Sequence, residues 1–329
     1  SIFNKAISNS KDYTKQIKAL AKDGLDKEGI YERLAIADIK TATDLFMPLY
    51  EETKGEDGYV SLEVNPYLAR DTQATLAEAL RLWKTVDRPN LMVKIPGTKE
   101  GIPAIRDAVA AGVNVNVTLL FSLERYREVM DAYLDGLEER LETGKPLGGI
   151  ASVASFFISR IDTNVDNRLK ALIEEKPEKE EFALSLLGKI AVASGKLAYQ
   201  FYQDVFGNNN PRFIALKAQG ARPQRLLWAS TSTKNPDYSD VKYVEALIGP
   251  GTVNTVPQRT LDAFLDHGTA KVQVTKGVTS AQQAFMKLAK LGIDIDEVTQ
   301  ELENEGVDSF ATSFMDLLQT IDAQLTFDT

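Results

Sequence analysis

Six short stretches of the chain carry apolar residues at the spacing of buried strands. Residues 59–64 (YVSLEV) alternate, with Val60, Leu62 and Val64 on one face and Ser61 and Glu63 on the other. Residues 91–95 (LMVKI) are apolar except for Lys94, and Pro96 and Gly97 end the run. Residues 113–121 (VNVNVTLLF) place Val113, Val115, Val117 and Leu119 on one face and Asn114, Asn116 and Thr118 on the other. Residues 150–157, 226–230 and 252–256 complete the set, and in the first of these Ser155 and Phe157 share a face. Helical periodicity fills the intervals. Thr98 is placed to cap a helix starting near Gly101, and Ser122 one whose apolar side runs from Leu123 through Tyr126, Val129 and Tyr133 to Leu137. Residues 11–53 and 279–324 read as helical, and Pro257 and Gly268 bracket a shorter helix.

From Tyr59 to Gly268 strand and helix therefore alternate, which is the pattern of a parallel sheet with crossover helices. A doubly wound sheet would bury apolar residues on both faces of its strands. Here five of the strands carry polar groups on one face, and no GxGxxG follows any strand. A (β/α) barrel accommodates this, because polar positions can converge inside it near the C-terminal strand ends. A closed barrel of this kind has about eight strands, and the chain offers six candidates.

The most informative residue is Lys94. An ammonium within an apolar strand is costly to desolvate, and desolvation favours the neutral amine that attacks carbonyls. The alternatives are a strand-end lysine that reaches water or one paired with a carboxylate. If the polar faces converge, Lys94 is joined by Glu63, Asn116, Thr118, Ser155 and Ser230, with Arg160 and Lys234 just beyond strand ends. That set suits imine chemistry: Glu63 could relay protons, Asn116 and Ser155 could hold hydroxyls, and Arg160 and Lys234 could hold a phosphate. Each also has a structural reading: Glu63 as the ion-pair partner of Lys94, the asparagines as ligands of backbone groups, Arg160 as a surface partner of Asp162.

Composition narrows the classes. Cysteine is absent and His267 is the only histidine, which leaves no thiolate chemistry, no Ser–His triad and no multi-His metal site. His267 reads as a helix C-terminal cap. A net charge of −9 argues against a nucleic-acid partner, and no apolar run has membrane-spanning length, so a cytoplasmic protein is expected.

The blocks YVSLEVNP, LMVKIPGTKEGIPAI, VNVNVTLLFS, ASFFISRID, LLWASTSTKNPDYSD and GTVNTVP resemble, in order and spacing, successive blocks of the transaldolase family in its longer bacterial-type branch. The resemblance covers nearly all of the chain. It implies a class I aldolase on a (β/α)8 TIM barrel, without metal or cofactor. Such an enzyme of the pentose phosphate pathway moves a dihydroxyacetone unit from sedoheptulose 7-phosphate to glyceraldehyde 3-phosphate, giving erythrose 4-phosphate and fructose 6-phosphate. It implies Lys94 as the Schiff-base lysine, Glu63 and Thr118 as the pair that positions a catalytic water, and Asn116 and Ser155 as ligands of the dihydroxyacetone moiety. Phe157 becomes the aromatic residue over the site and Arg160 a phosphate ligand, with Ser230 nearby.

Two departures accompany the resemblance. Lys234 stands where an arginine often supplies the second phosphate contact, and a lysine lacks its bidentate fork. The family also has two strands ahead of the first one found here, the first carrying a catalytic aspartate, and SIFNKAI resembles the segment that follows the second. The expectation is one barrel domain over residues 1–329, N-terminally incomplete, with C-terminal helices at 279–324, that does not close without an upstream segment of some tens of residues. Sugar phosphates are the expected partners, and the sequence leaves open a homodimer or fusion to another sugar-phosphate enzyme. The rival activities are fructose 6-phosphate aldolase, for which a tyrosine in place of Phe157 would argue, and a non-catalytic sugar-phosphate-binding barrel within a fused protein.

Overall fold

A computed structural model describes residues 6–7 and 12–326 of the chain. The stretch 1–7 compared above with the segment after a second strand lies, apart from Ala6 and Ile7, outside the described residues. The six strands form one parallel sheet in chain order: β1 Val60–Glu63, β2 Leu91–Pro96, β3 Val115–Leu120, β4 Ser152–Phe157, β5 Arg225–Ala229 and β6 Val253–Asn254. Among the described residues β1 pairs only with β2 and β6 only with β5. The fold is thus α/β with a curled six-stranded parallel sheet.

Helices follow the strands as the periodicity predicts. Thr72–Val86 follows β1, Gly101–Ala111 follows β2, and Leu123–Glu142 follows β3. Ser159–Glu175 and Ile190–Phe206 follow β4, and Gln258–His267 follows β6. Thr14–Lys22 and Lys27–Glu52 precede the sheet, and Val278–Lys290 and Ile295–Thr326 close the chain. Short polar residues set the helix starts. Asp71 accepts from Ala74 N at 2.9 Å and Ser122 from Arg125 N at 3.3 Å. Thr98 accepts from Gly101 N at 3.0 Å and donates to Ala69 O at 2.6 Å, so one hydroxyl ties the turn after β2 to the turn after β1. Gly101 is required there, since a Cβ would lie 2.0 Å from Pro96 O.

The outward faces of β2 and β3 are apolar. Leu91, Val93 and Ile95 of β2 and Val115 and Val117 of β3 have no solvent exposure, and they share one core with Ile105, Ala108 and Val109 of the following helix. Burying a side chain of this size contributes about 1.5–3 kcal/mol, and this is what presses the helices onto the sheet. The other face gathers the polar residues. In a flat sheet β1 and β3 would lie about 10 Å apart. Yet Asn116 of β3 donates to Ser61 of β1 at 3.0 Å across β2, as a concave face requires.

Three local features depart from the alternation. β3 carries a bulge between Val117 and Leu120, where two residues face one on β4, and Leu119 has φ +59°. Leu120, not Leu119, therefore takes the register position beside Phe156, and Leu119 meets Gly306 of the last helix. β5 ends at Ala229, because Ser230 turns into the left-handed region with φ +55°. β6 contracts from the five residues expected to Val253–Asn254. Among the described residues no helix is long and apolar enough to cross a membrane.

Candidate active site

Register places the central residues side by side. Glu63 pairs with Lys94 across β1–β2, Lys94 with Asn116 across β2–β3, and Pro96 with Thr118 one step further on. Lys94 Nζ lies 3.7 Å from Glu63 Oε2, an ion pair longer than a hydrogen bond, and the lysine side chain keeps 25% of its exposure. Glu63 as a whole is about a third exposed, but its Oε1 is shut from solvent without a hydrogen-bond partner. Desolvation raises the Glu63 pKa above the ordinary carboxylate value, and the neighbouring Lys94 only partly opposes this. A carboxyl whose protonated form is favoured in this way is suited to exchange a proton with a reacting hydroxyl. Thr118 is fully buried, and its Oγ1 likewise has no partner among the described residues. Glu63, the register partner of Lys94, and Thr118, one step further along the face on β3, thus each hold a buried oxygen without a partner among the described residues.

Asn116 is the opposite case. Its Nδ2 donates to Ser61 and its Oδ1 accepts from Ser155 Oγ at 2.7 Å, so three strands share one chain of hydrogen bonds. Phe157, 8% exposed, packs on Phe121 with ring centroids 5.1 Å apart. Its ring also faces the guanidinium of Arg160 at 5.7 Å. Arg160 makes no hydrogen bond or ion pair with another described residue, and it sits in the first turn of the helix Ser159–Glu175. A guanidinium without a carboxylate partner in the first turn of a helix favours an anion.

The reading of Arg160 as a surface partner of Asp162 does not hold. Asp162 is 2% exposed and turned inward, where it accepts from Ala191 N at 2.7 Å and Tyr243 OH at 2.9 Å and pairs with Lys242 at 3.2 Å. Burial raises its pKa, opposed by Lys242.

Ser230 reaches the same helix start. Its Oγ lies 3.0 Å from Ser159 Oγ, and its carbonyl accepts from Ser159 N at 3.0 Å. Lys234 stands apart. It is exposed, and its side chain has no hydrogen bond or ion pair among the described residues. Its loop is held at both ends, by Thr231 donating to Asn254 at 2.9 Å and by Tyr238 donating to Asp166 at 2.7 Å. His267 is no simple helix cap: its ring joins Asp240, at the end of that loop, at 2.9 Å and Asp266 at 3.1 Å.

Sequence reasoning missed three participants. Ser61 was legible, since it shares the polar face of β1 with Glu63. Ser159 was hidden by its position at a strand-to-helix turn. Phe310, whose ring centroid lies 5.4 Å from Lys94 Nζ, comes from the last helix and left no local signal.

A family model described as Transaldolase/Fructose-6-phosphate aldolase matches residues 1–321. Proteins named Transaldolase are similar over almost the whole chain. That of Saccharopolyspora erythraea is 52% identical over 325 residues, covering 98% of this chain and 86% of the relative. That of Mycolicibacterium smegmatis is 49% identical over 326 residues, with 99% and 86% covered. That of Thermobifida fusca is 49% identical over 329 residues, with 100% and 87% covered. The strand that carries Lys94, its register partners Glu63 and Asn116, and the helix start that carries Arg160 all lie within the matched span, and the chain belongs to the transaldolase/fructose-6-phosphate aldolase family.

Proposed function

We propose that this chain catalyses the transaldolase reaction, moving a dihydroxyacetone unit between sugar phosphates through an imine on Lys94. The observation that carries this reading is the register trio Glu63–Lys94–Asn116, which sets an amine beside a carboxyl oxygen without a partner and a tethered amide. Lys94 adds to the C2 carbonyl of the ketose phosphate, and the carbinolamine loses water to give the imine. Glu63, whose burial favours its protonated form, exchanges protons with the departing hydroxyl, through a water that Thr118 Oγ1 also holds. Cleavage of the C3–C4 bond sends its electrons into the iminium, releases an aldose phosphate and leaves an enamine on Lys94. The enamine carbon then attacks the carbonyl of a second aldose phosphate, and hydrolysis frees the product.

Asn116 and Ser155 hold the hydroxyls of the three-carbon unit, with Phe157 against it. The phosphate binds at the helix start with Arg160, with Ser230 beside it, and Lys234 moves in from its loop as a second positive charge. Phe157 has no hydroxyl with which to protonate the enamine, and this favours transfer over release of free dihydroxyacetone. The open edges β1 and β6 fit six strands of an eight-stranded barrel, in which residues 1–329 belong to one domain and the last helices pack on its outside and mouth. Charged sugar-phosphate substrates fit a cytoplasmic enzyme of the pentose phosphate pathway.

The test is a product assay with fructose 6-phosphate and erythrose 4-phosphate. Formation of sedoheptulose 7-phosphate and glyceraldehyde 3-phosphate is expected. Free dihydroxyacetone formed at a rate indifferent to the acceptor would make the chain an aldolase, and no turnover of either kind would leave a non-catalytic barrel.

A further inference from the structure

The last helix, Ile295–Thr326, crosses the end of the sheet where Lys94 lies. Its residues bond to elements on both sides of that end. Glu301 accepts from Arg168 of the helix after β4, and Asn304 accepts from Arg70 in the turn after β1 at 2.6 Å. Gly306 abuts Leu119 at the β3 bulge, where a Cβ would lie 2.9 Å from Leu119 Cδ2. Phe314 packs edge-on against Tyr31 at 5.1 Å. From Glu301 to Phe314 a helix advances about 20 Å, enough to span the mouth of such a sheet. Gly306, Phe310 and Phe314 recur at i, i+4 and i+8, so all three lie on one face. Between the contacts of Gly306 and Phe314, Phe310 comes to 5.4 Å from Lys94 Nζ.

We propose that Phe310 is a positioning residue for the transfer reaction: its ring covers the Lys94 nitrogen and sets how much of the enamine survives until an acceptor arrives. This rests on the reading of Lys94 given above. An aromatic face within about 6 Å favours a cation at that nitrogen. It therefore supports the iminium of the intermediate, and it occupies space that water would otherwise enter. The enamine has two exits. In transfer, its carbon forms a C–C bond to the carbonyl carbon of the aldose phosphate, whose oxygen takes up a proton. In leakage, that carbon takes a proton, water adds to the iminium carbon, and the C–N bond breaks to release dihydroxyacetone and the Lys94 amine. Neither exit needs an oxidant or reductant. A fixed apolar cover slows the second by keeping bulk water off the enamine. The Gly306–Leu119 contact explains how the ring is held: the bulge brings Leu119 against the helix one turn ahead of Phe310.

The experiment compares the full-length protein with Phe310→Ala and Phe310→Leu, using fructose 6-phosphate as donor and one fixed concentration of erythrose 4-phosphate. The readout is the ratio of free dihydroxyacetone to sedoheptulose 7-phosphate. Both products come from one enamine, so loss of folded enzyme lowers both equally and leaves the ratio unmoved. The ratio should rise about three- to tenfold in Phe310→Ala and by a smaller factor in Phe310→Leu, which keeps bulk but no aromatic face. Leucine is the milder change and carries the test if the alanine protein does not fold. A wild-type ratio in either folded variant overturns the cover while leaving the Lys94 reading intact. Absence of transfer by the unaltered protein removes both.

Discussion

Asn114 and Asn116 lie two residues apart on the polar side of β3, and they differ in what they bind. Asn114, just ahead of the strand, is saturated by backbone: it donates to Pro89 O at 2.8 Å and Leu91 O at 3.1 Å and accepts from Ala151 N at 2.9 Å. It ties the starts of three strands together. Asn116, one step along the same face, binds only side chains, and Thr118, one step further, binds nothing among the described residues. Within about 13 Å of strand the polar face passes from satisfied to unsatisfied. Buried polar groups in folded proteins are normally paired, so the exceptions mark where a ligand is expected. On β3 the N-terminal end is thus tied by backbone partners, while the C-terminal end leaves a buried hydroxyl unpaired among the described residues.

That contrast can be broken by exchanging the effects. Asn114→Ala should cost about 2–4 kcal/mol of stability, because three backbone groups lose partners in a site that is 1% exposed. Denaturant unfolding measures this, and kcat of the folded enzyme should stay near that of the unaltered protein. Thr118→Val should do the reverse. Removing a hydroxyl that holds no protein bond should shift stability by less than about 1 kcal/mol, whereas transfer should fall about 10- to 100-fold. A large loss of stability in Thr118→Val with unchanged kcat would put Thr118 with the structural residues.

The smallest effect is expected at the loop that carries Lys234. Hydrogen bonds to Asp240 and then Asp266 raise the His267 pKa above its ordinary value. A raised pKa means that the latch contributes fully below the unfolded-state value of about 6.5 and is lost as pH rises through the higher folded value. The Tm difference between the protein and His267→Gln should therefore shrink as pH increases across that window. A constant difference would mean that the charge on His267 is not what holds Asp240.

How much of this was legible follows from what alternation can encode. The polar face of β1 to β4 and its lysine could be read because period two survives wherever one face is buried. The bulge at Thr118 and Leu119 could not, because it adds a residue without altering composition, and it reverses which leucine faces the helices. Asp162 looked like a surface partner of Arg160 because neighbours in sequence suggest neighbours in space. Both lie in the first turn of one helix, where residues two apart do not face each other, so Asp162 turns inward to Tyr243 and Arg160 is left without a carboxylate. Phe310 lies more than two hundred residues from Lys94 in the chain, and only tertiary packing joins them.

The central claim is that Lys94 is the nitrogen that meets the substrate carbon. Incubation of the protein with fructose 6-phosphate and borohydride, followed by peptide mass mapping, tests it directly, because hydride fixes an iminium as a stable amine on the lysine that formed it. The modification should fall on the peptide containing Lys94. Labelling confined to Lys99, Lys234 or any other lysine would contradict the account.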